Sequence, residues 1–459
     1  MSSPSVANVQ DPLNVVNRLE RLPMTAYQNK LFAVVATAWL ADQINVALLA
    51  FLIVPVTLYF HLTVVQIGIL SAMTYLGQGI GNIIASYAAD RWGRRRPFQA
   101  IIIVWGIGSF LAALAWNPVS LMVFRCIIGI GVGGEAPIAQ AILSEFIPAN
   151  RRGRYISWME GFWTIGYILS GVVTLLVVPL LARNGWRLVF VAVGLFSVVV
   201  FLARRNLPES PRWLMDHGKN EEAEQVLTGI EHQVATLYGK PLPEPQLAVR
   251  THQHGNVDPV RTLWSRQYLK RTLMAAGLWF FALLGYFGLT SWLTTLLHDH
   301  GYSVTSSIGF VTLISLGGIP GFLLASWLIE KIGRKPTMAL YLILSAVTAY
   351  LYGHPLPHLL FVEGFMMQFF FFGMWCVLYA YTPELYPTRA RSSGAGWASA
   401  FGRAGAILGP VIVAFMLKAV PGGESAVFTL GAASFVVATL LVLVFGPETR
   451  GKILEQIAD

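Results

Sequence analysis

Apolar runs of about twenty residues, separated by short charged turns, recur along the chain. Twelve can be marked, at 30–58, 64–88, 98–116, 119–144, 155–181, 187–205, 271–297, 304–329, 337–353, 357–381, 392–418 and 426–446. Each approaches the length a helix needs to cross a bilayer core of roughly 30 Å at about 1.5 Å per residue. The pattern predicts an all-α membrane protein with twelve transmembrane helices in two six-helix bundles. One long polar stretch, 206–270, interrupts it. There Asn220-Glu221-Glu222-Ala223 reads as a capped start of a surface helix, and Gly239 to Gly255, with its prolines and histidines, as a loose connection. The expected organisation is a tail at 1–29, a bundle at 30–205, a linker at 206–270, a second bundle at 271–446 and a tail at 447–459.

The polar turns show that the two bundles are copies. Ser86 to Pro97, containing Asp90-Arg91-Trp92-Gly93-Arg94, returns as Ser326 to Pro336, containing Glu330-Lys331-Ile332-Gly333-Arg334. Glu145 and Glu384 each open a Glu-x-x-Pro, and Glu209 and Glu448 each follow a proline at the end of an apolar run. All three pairs are 239 or 240 residues apart. Parallel repeats of this kind are characteristic of transporters that bind solute at the seam between like halves.

Composition agrees. The chain is 55% hydrophobic and 12% charged, against roughly 25% charged in soluble domains. The net charge of +9 lies mostly in alternate loops, among them Arg91, Arg94, Arg152, Arg334 and Arg391, which is a positive-inside pattern rather than a nucleic-acid footprint. Both termini are therefore expected in the cytoplasm. The first 28 residues lack the apolar core of a removable signal, and no Asn-x-Ser/Thr site occurs, which favours a bacterial inner membrane. Cys126 and Cys376 lie inside apolar runs and imply no disulfide framework. No nucleophile–base pair, metal cluster or phosphate cradle is evident, so neither an enzyme, a cofactor nor a metal site is expected; His252 and His254 read as solvated.

These motifs resemble the major facilitator superfamily. Asp90-Arg91-x-Gly93-Arg94 and its second copy are similar to that superfamily's loop motif, with Ser86 and Ser326 where glycine often stands. Pro208-Glu209-Ser210-Pro211-Arg212 resembles the end of span six in sugar porters and organic-ion carriers. Trp39 to Asn45, Gly129 to Pro137 and Tyr379 to Pro387 resemble the metabolite:proton symporters, which include niacin and aromatic-acid carriers; Asn45 stands where a second acid is common there. The resemblance implies alternating access, with spans one, four, seven and ten lining the path. Arg125-x-x-x-Gly129 is similar to a superfamily motif linked to proton coupling.

Charges inside apolar runs are costly and face a cavity or a partner. They are Asp42, Arg125, Glu135, Glu160, Glu363 and Arg403. Counting along the spans puts Asp42, Glu135 and Arg403 near the midplane. Asp42 and Asn45 share a helical face. Desolvation favours the neutral form of a carboxylate, so Asp42 and Glu135, with Arg125, are candidates for proton coupling. The alternative for each acid is a packing role. Arg403 requires an anion: a substrate carboxylate or an acid on another helix. Arg125 is close enough to the outer side to snorkel, and Glu160 close enough to Arg151, Arg152 and Arg154 to pair with them. Asn45, Arg403, Trp279, Tyr286, Trp375 and Tyr379 are candidates for substrate contact, with packing the rival reading for each aromatic.

In the loops, Asp90, Arg91, Gly93, Arg94, Glu145, Arg152 and Glu209, with Glu330, Gly333, Arg334, Glu384, Arg391 and Glu448, are expected to form a cytoplasmic gate. Asp90 and Glu330 would sit at helix N-termini of the opposite bundle, and the arginines would meet the glutamates across the gap. The function expected is proton-coupled import of a small organic solute, first a monocarboxylate or aromatic acid. An organic-cation or sugar carrier, and more remotely a non-transporting membrane sensor, are the alternatives. The expected partners are that solute, the proton and lipid, with no nucleic acid, for a monomer.

Overall fold

A computed structural model describes residues 12–181, 183–205, 207–244, 259–355, 358–386, 390–420 and 423–449. His252, His254, Pro387, Arg389, Arg450 and Lys452 lie outside them. The described residues form helices joined by short turns, without a strand among them. The first six spans are Ala26–Phe60, Val64–Trp92, Arg95–Ala113, Pro118–Gly133 continued by Glu135–Phe146, Ala149–Val177, and Gly185–Arg204. The second six are Leu269–Thr290 continued by Leu293–Asp299, Val304–Ser315 continued by Gly318–Ile332, Arg334–Tyr352, Leu360–Glu384, Arg391–Ala419, and Glu424–Phe445.

Eleven of these spans among the described residues are long and apolar enough to cross a membrane. The ninth, Arg334–Tyr352, falls short because its 19 residues begin with Arg334 and Lys335 and include several hydroxyls. The sequence treats spans four, seven and eight as continuous. The structure breaks them at Gly134, at Ser291–Trp292 and at Leu316–Gly317. Starts are capped as the composition allows: Thr25 with Gln28, Thr63 with Gln66 and Asn117 with Ser120 form reciprocal capping boxes. Bulky apolar side chains cover the exterior, with Ile83 73% and Trp116 71% exposed, as a lipid-facing surface requires.

Helix pairing repeats from one half to the other. Spans two and four, one and five, three and four, three and six, and one and six pack together; adding six to each number gives the pairings of the second half. The halves meet along two seams, span two against span eleven and span five against span eight. Glycines bring backbones close there: a Cβ on Gly68 would stand 2.6 Å from the Ala414 Cβ, and one on Gly171 would collide with Thr312. Thr294 Oγ1 donates to the Ala50 carbonyl at 2.5 Å, also in the part of the spans away from the termini.

The loop repeat matches at the level of atoms. Glu209 accepts hydrogen bonds from the Arg94 and Arg95 backbone N–H at 2.7 and 3.2 Å, and Glu448 accepts from Arg334 and Lys335 at 3.0 and 3.1 Å. Each glutamate thus caps the positive end of its own half's third span. The Arg94 guanidinium meets Asp90 at 2.9 Å and Glu145 at 3.3 Å; Arg334 meets Glu330 and Glu384, both at 3.1 Å. The expected bridges across the gap are therefore corrected: these clusters each lie within one half. Asp90 and Glu330, with side chains 79% and 73% exposed, pair with the arginine four residues on rather than with a helix of the opposite bundle. Arg152 pairs with Glu20 at 2.6 Å, and Arg91 donates to the Tyr87 hydroxyl at 3.0 Å. A rigid turn between two helices of one half brings its own charges together first.

Gly93 and Gly333 have φ of +91° and +101°, and a Cβ at either would run into the Glu209 or Glu448 carboxylate. Gly93→Ala should lower stability by about 1–3 kcal/mol, read as a reduced thermal midpoint in detergent; an unchanged midpoint would contradict the clamp.

The polar interruption contains a helix at Asn220–Tyr238 that begins where expected, although Lys219 provides no side-chain cap. The N-terminal segment adds a helix at Pro12–Glu20. Arg18 bridges Glu224 at 2.8 Å and Glu231 at 2.6 Å, and Arg21 reaches Glu231 at 2.6 Å. Burial pushes the Glu231 carboxyl up, but hydrogen bonds and charge from Arg18 and Arg21 outweigh it and leave it below its ordinary value of 4.5. The contact's stabilisation is accordingly present above that pH and lost as pH falls below it. Limited proteolysis should show the N-terminal helix released on acidification below about 4.5, and already released at neutral pH in Glu231→Gln.

Candidate transport site

Span four breaks at Gly134 because four glycines, Gly129, Gly131, Gly133 and Gly134, let it approach spans two and three; a Cβ on Gly131 would meet the Trp105 Cβ at 2.6 Å. Glu135 therefore opens a new helical segment, where an anion is favoured. It is fully buried and forms an ion pair with Arg204, also fully buried, at the end of span six. Arg204 Nη1 also donates to the Phe98 carbonyl at 2.8 Å, and its guanidinium lies 3.4 Å from that ring's centroid. Arg204, next to last in the apolar run 187–205, is not among the charges that stand out in the sequence. The signal that could have identified it is the need of a buried Glu135 for a counter-charge.

Asp42 is 1% exposed, and neither carboxylate oxygen has a hydrogen-bond partner among the described residues. The fields of Glu135 and Arg204 both reach it. Asn45, one turn on, donates to the Ala41 carbonyl at 3.3 Å, while its own carbonyl accepts from Arg125 at 3.3 Å. Arg125 also donates to Thr74 Oγ1 at 3.1 Å and is wholly buried, so its arm does not snorkel to the outer face. Spans one, two, four and six are thus tied together around Asp42.

Arg403 of span eleven crosses the seam and donates to the Gln78 side-chain carbonyl of span two. No ion pair to Arg403 occurs among the described residues. Of the two answers the sequence allows for this cation, the structure provides no carboxylate of the protein.

Aromatic side chains wall the seam beside it. Trp375 stacks on Tyr379 with centroids 5.8 Å apart, meets Tyr286 at 5.3 Å and meets Trp163 at 5.3 Å. One small cavity, with room for about a single water, lies among Gln43, Tyr75, Trp163, Tyr167 and Tyr286; a second of the same size lies among Glu160, Trp163, Phe372, Trp375 and Tyr379. Trp163 is common to both. Trp279 lines neither: its indole donates to Thr382 Oγ1 at 2.8 Å and its ring backs Tyr379 at 5.3 Å, a supporting position. Trp163, Tyr167 and Gln78 are absent from the sequence reading, because an aromatic or amide in an apolar run gives no sign of which way it faces.

Glu160 also departs from expectation. It is 7% exposed and accepts from Gln140 Nε2 at 3.4 Å, in the wall of the second cavity. Its expected basic partners are engaged elsewhere, Arg152 with Glu20 and Arg154 over the Trp158 ring at 4.5 Å. Two turns of helix carry Glu160 away from the charged surface and into the seam.

A family model described as sugar (and other) transporter matches residues 21–459. The chain belongs to the sugar (and other) transporter family. Among curated relatives, the niacin transporter NiaP of Acinetobacter baylyi is 33% identical over 97% of this chain and 100% of its own length. The putative niacin/nicotinamide transporter NiaP of Bacillus subtilis is 31% identical over 93% and 98%. The inward-open xylose transporter XylE of Escherichia coli shares the fold with a TM-score of 0.73, at 20% identity over 94% of this chain and 99% of its own. This member of the sugar (and other) transporter family is thus an integral membrane secondary transporter of the major facilitator type rather than an enzyme.

In an interior this dry, the Glu135–Arg204 pair should be coupled strongly. Removing one partner costs about 3–5 kcal/mol because the other charge is left buried. Glu135→Gln and Arg204→Gln should each lower the thermal midpoint, and the double variant should lose less than the two singles together. Simple additivity would contradict the pair.

Proposed function

We propose that this transporter carries a small aromatic monocarboxylate by proton symport across a bacterial inner membrane, with both termini cytoplasmic. The observation that carries the reading is Arg403: a guanidinium at the seam, held by the Gln78 amide with no carboxylate on it among the described residues, its field reaching Tyr379. A substrate carboxylate supplies the missing anion in bidentate geometry, and the aromatic walls accept a flat ring. The niacin named for two relatives is an acid of this class.

Asp42 is the proton carrier in this reading. Its carboxylate has no hydrogen-bond partner among the described residues, so the neutral form is the one that burial tolerates. Reorientation of the halves lets water reach it on one side at a time, and Glu135, already paired to Arg204, sets the field it titrates in. The loop clusters around Arg94 and Arg334 stiffen each half, so that the halves move as units about the seams. The organic-cation reading has one specific observation in its favour, the acidic Glu160 in the cavity wall.

Counterflow in proteoliposomes tests the proposal. Labelled niacin or benzoate should exchange, and neither a quaternary ammonium ion nor xylose should compete; the reverse order would replace the acid reading with a rival. Arg403→Gln should weaken acid binding by about tenfold or more, the scale of one charge-assisted contact. Asp42→Asn should exchange acid but fail to accumulate it against a gradient when a proton gradient is imposed. Full accumulation by that variant would remove Asp42 from the coupling role.

A further inference from the structure

Glu160 has no part in the cycle just described, yet its setting is that of a ligand contact. It is a nearly fully buried acid with no ion pair among the described residues, and its single protein hydrogen bond comes from Gln140 at a long 3.4 Å. It lines the small cavity between spans five, eight and ten, which has room for about one water while the walls are closed and whose other walls are Trp163, Phe322, Phe372, Trp375 and Tyr379. Thr164 Oγ1 and the indole N–H groups of Trp163 and Trp375 on those walls also have no hydrogen-bond partner among the described residues. A carboxylate held so weakly in an apolar wall is incomplete without a donor, because an acceptor left unmatched at burial costs more than the bond it could form.

The position of Tyr379 links this acid to the cation already assigned to the substrate. Tyr379 lines the cavity with Glu160 and stacks on Trp375, and the fields of both Glu160 and Arg403 reach its hydroxyl. Arg403 lines neither cavity, but an aromatic ring stacked on Tyr379 lies within the electrostatic reach of both the Arg403 guanidinium and the Glu160 carboxyl. Benzoate satisfies only the first.

We propose that Glu160 is a specificity-determining residue that accepts a hydrogen bond from a donor on the ring edge away from the substrate's carboxylate, so that this site takes aromatic monocarboxylates carrying an amine, phenol or protonated ring nitrogen. The inference rests on the aromatic-acid reading above. A site built to satisfy a polar group discriminates strongly against an analogue lacking it, whereas an apolar pocket discriminates weakly. Glu160 and Gln140 come from spans five and four of one half, and the facing rings from spans eight and ten of the other. The ligand edge they grip thus lies between the moving halves.

The test is competition against labelled benzoate in counterflow, using 3- and 4-aminobenzoate against the methylbenzoates of the same shape. The wild-type protein should prefer at least one aminobenzoate over its methyl counterpart by roughly three- to tenfold, the scale of one buried hydrogen bond. In Glu160→Gln that ratio should fall toward one. Equal competition by the amino and methyl acids in the wild type overturns the inference even if the variant does not fold. A ratio that persists in a folded Glu160→Gln, monodisperse by size exclusion, overturns it as well. Failure of the wild type to exchange any of these acids is a different result and removes the aromatic-acid reading itself.

Discussion

A charge carried into an apolar bilayer has to be answered by an opposite charge or by oriented dipoles, and the interior of this protein is arranged around that requirement. Glu135 is answered through one carboxylate oxygen by Arg204, and by the start of a helical segment. Arg125 is answered by dipoles, a threonine hydroxyl and a backbone carbonyl. Arg403 and Glu160 are each held by a single side-chain amide, on opposite sides of the aromatic walls. Glu135 and Arg125, with Arg204, tie spans one, two, four and six together inside one half, where Asp42 stays without a hydrogen-bond partner among the described residues. Arg403 and Glu160 lie at the seam, where a solute can complete them.

The same separation of rigid and variable parts runs through the backbone. In each half, a glutamate past the last span folds back onto the N-terminus of that half's third span and an arginine gathers two acids, so the turn is braced within its own bundle. Between the halves, contact is made by glycines and small side chains that allow sliding and rocking, as at Gly68 and Gly171. Alternating access requires this contrast, since bundles that deformed internally would dissipate the differential binding that drives the change.

The site draws more on span five than repeat symmetry and the resemblance suggest. Trp163 belongs to both cavities and Glu160 to one, while Trp279 of span seven stands behind Tyr379 rather than in the open space. Glycine explains part of this: Gly166 brings span five onto span one at Gln43, and Gly171 brings it onto Thr312. Span five is thereby the common wall of both cavities. Its acid has travelled with it into the protein interior.

The sequence by itself determined the membrane class, the helix boundaries to within a few residues and the duplication, because hydrophobic length, turn glycines and a constant offset are local or one-dimensional signals. It also identified the costly charges Asp42, Arg125, Glu135 and Arg403, since an ionised residue in an apolar run stands out wherever it points. Only the tertiary structure decided which of these meet. The partner of Glu135 is Arg204, which the sequence did not single out, and the loop charges close within a half rather than across the gap. Glu160, two turns from three arginines in sequence, faces a cavity instead. The reason is that a helix turns by about 100° per residue, so its packing neighbours set which side chains share a space. In the sequence those neighbours lie well outside the same helix, 69 residues apart for Glu135 and Arg204, with nothing to mark the pairing.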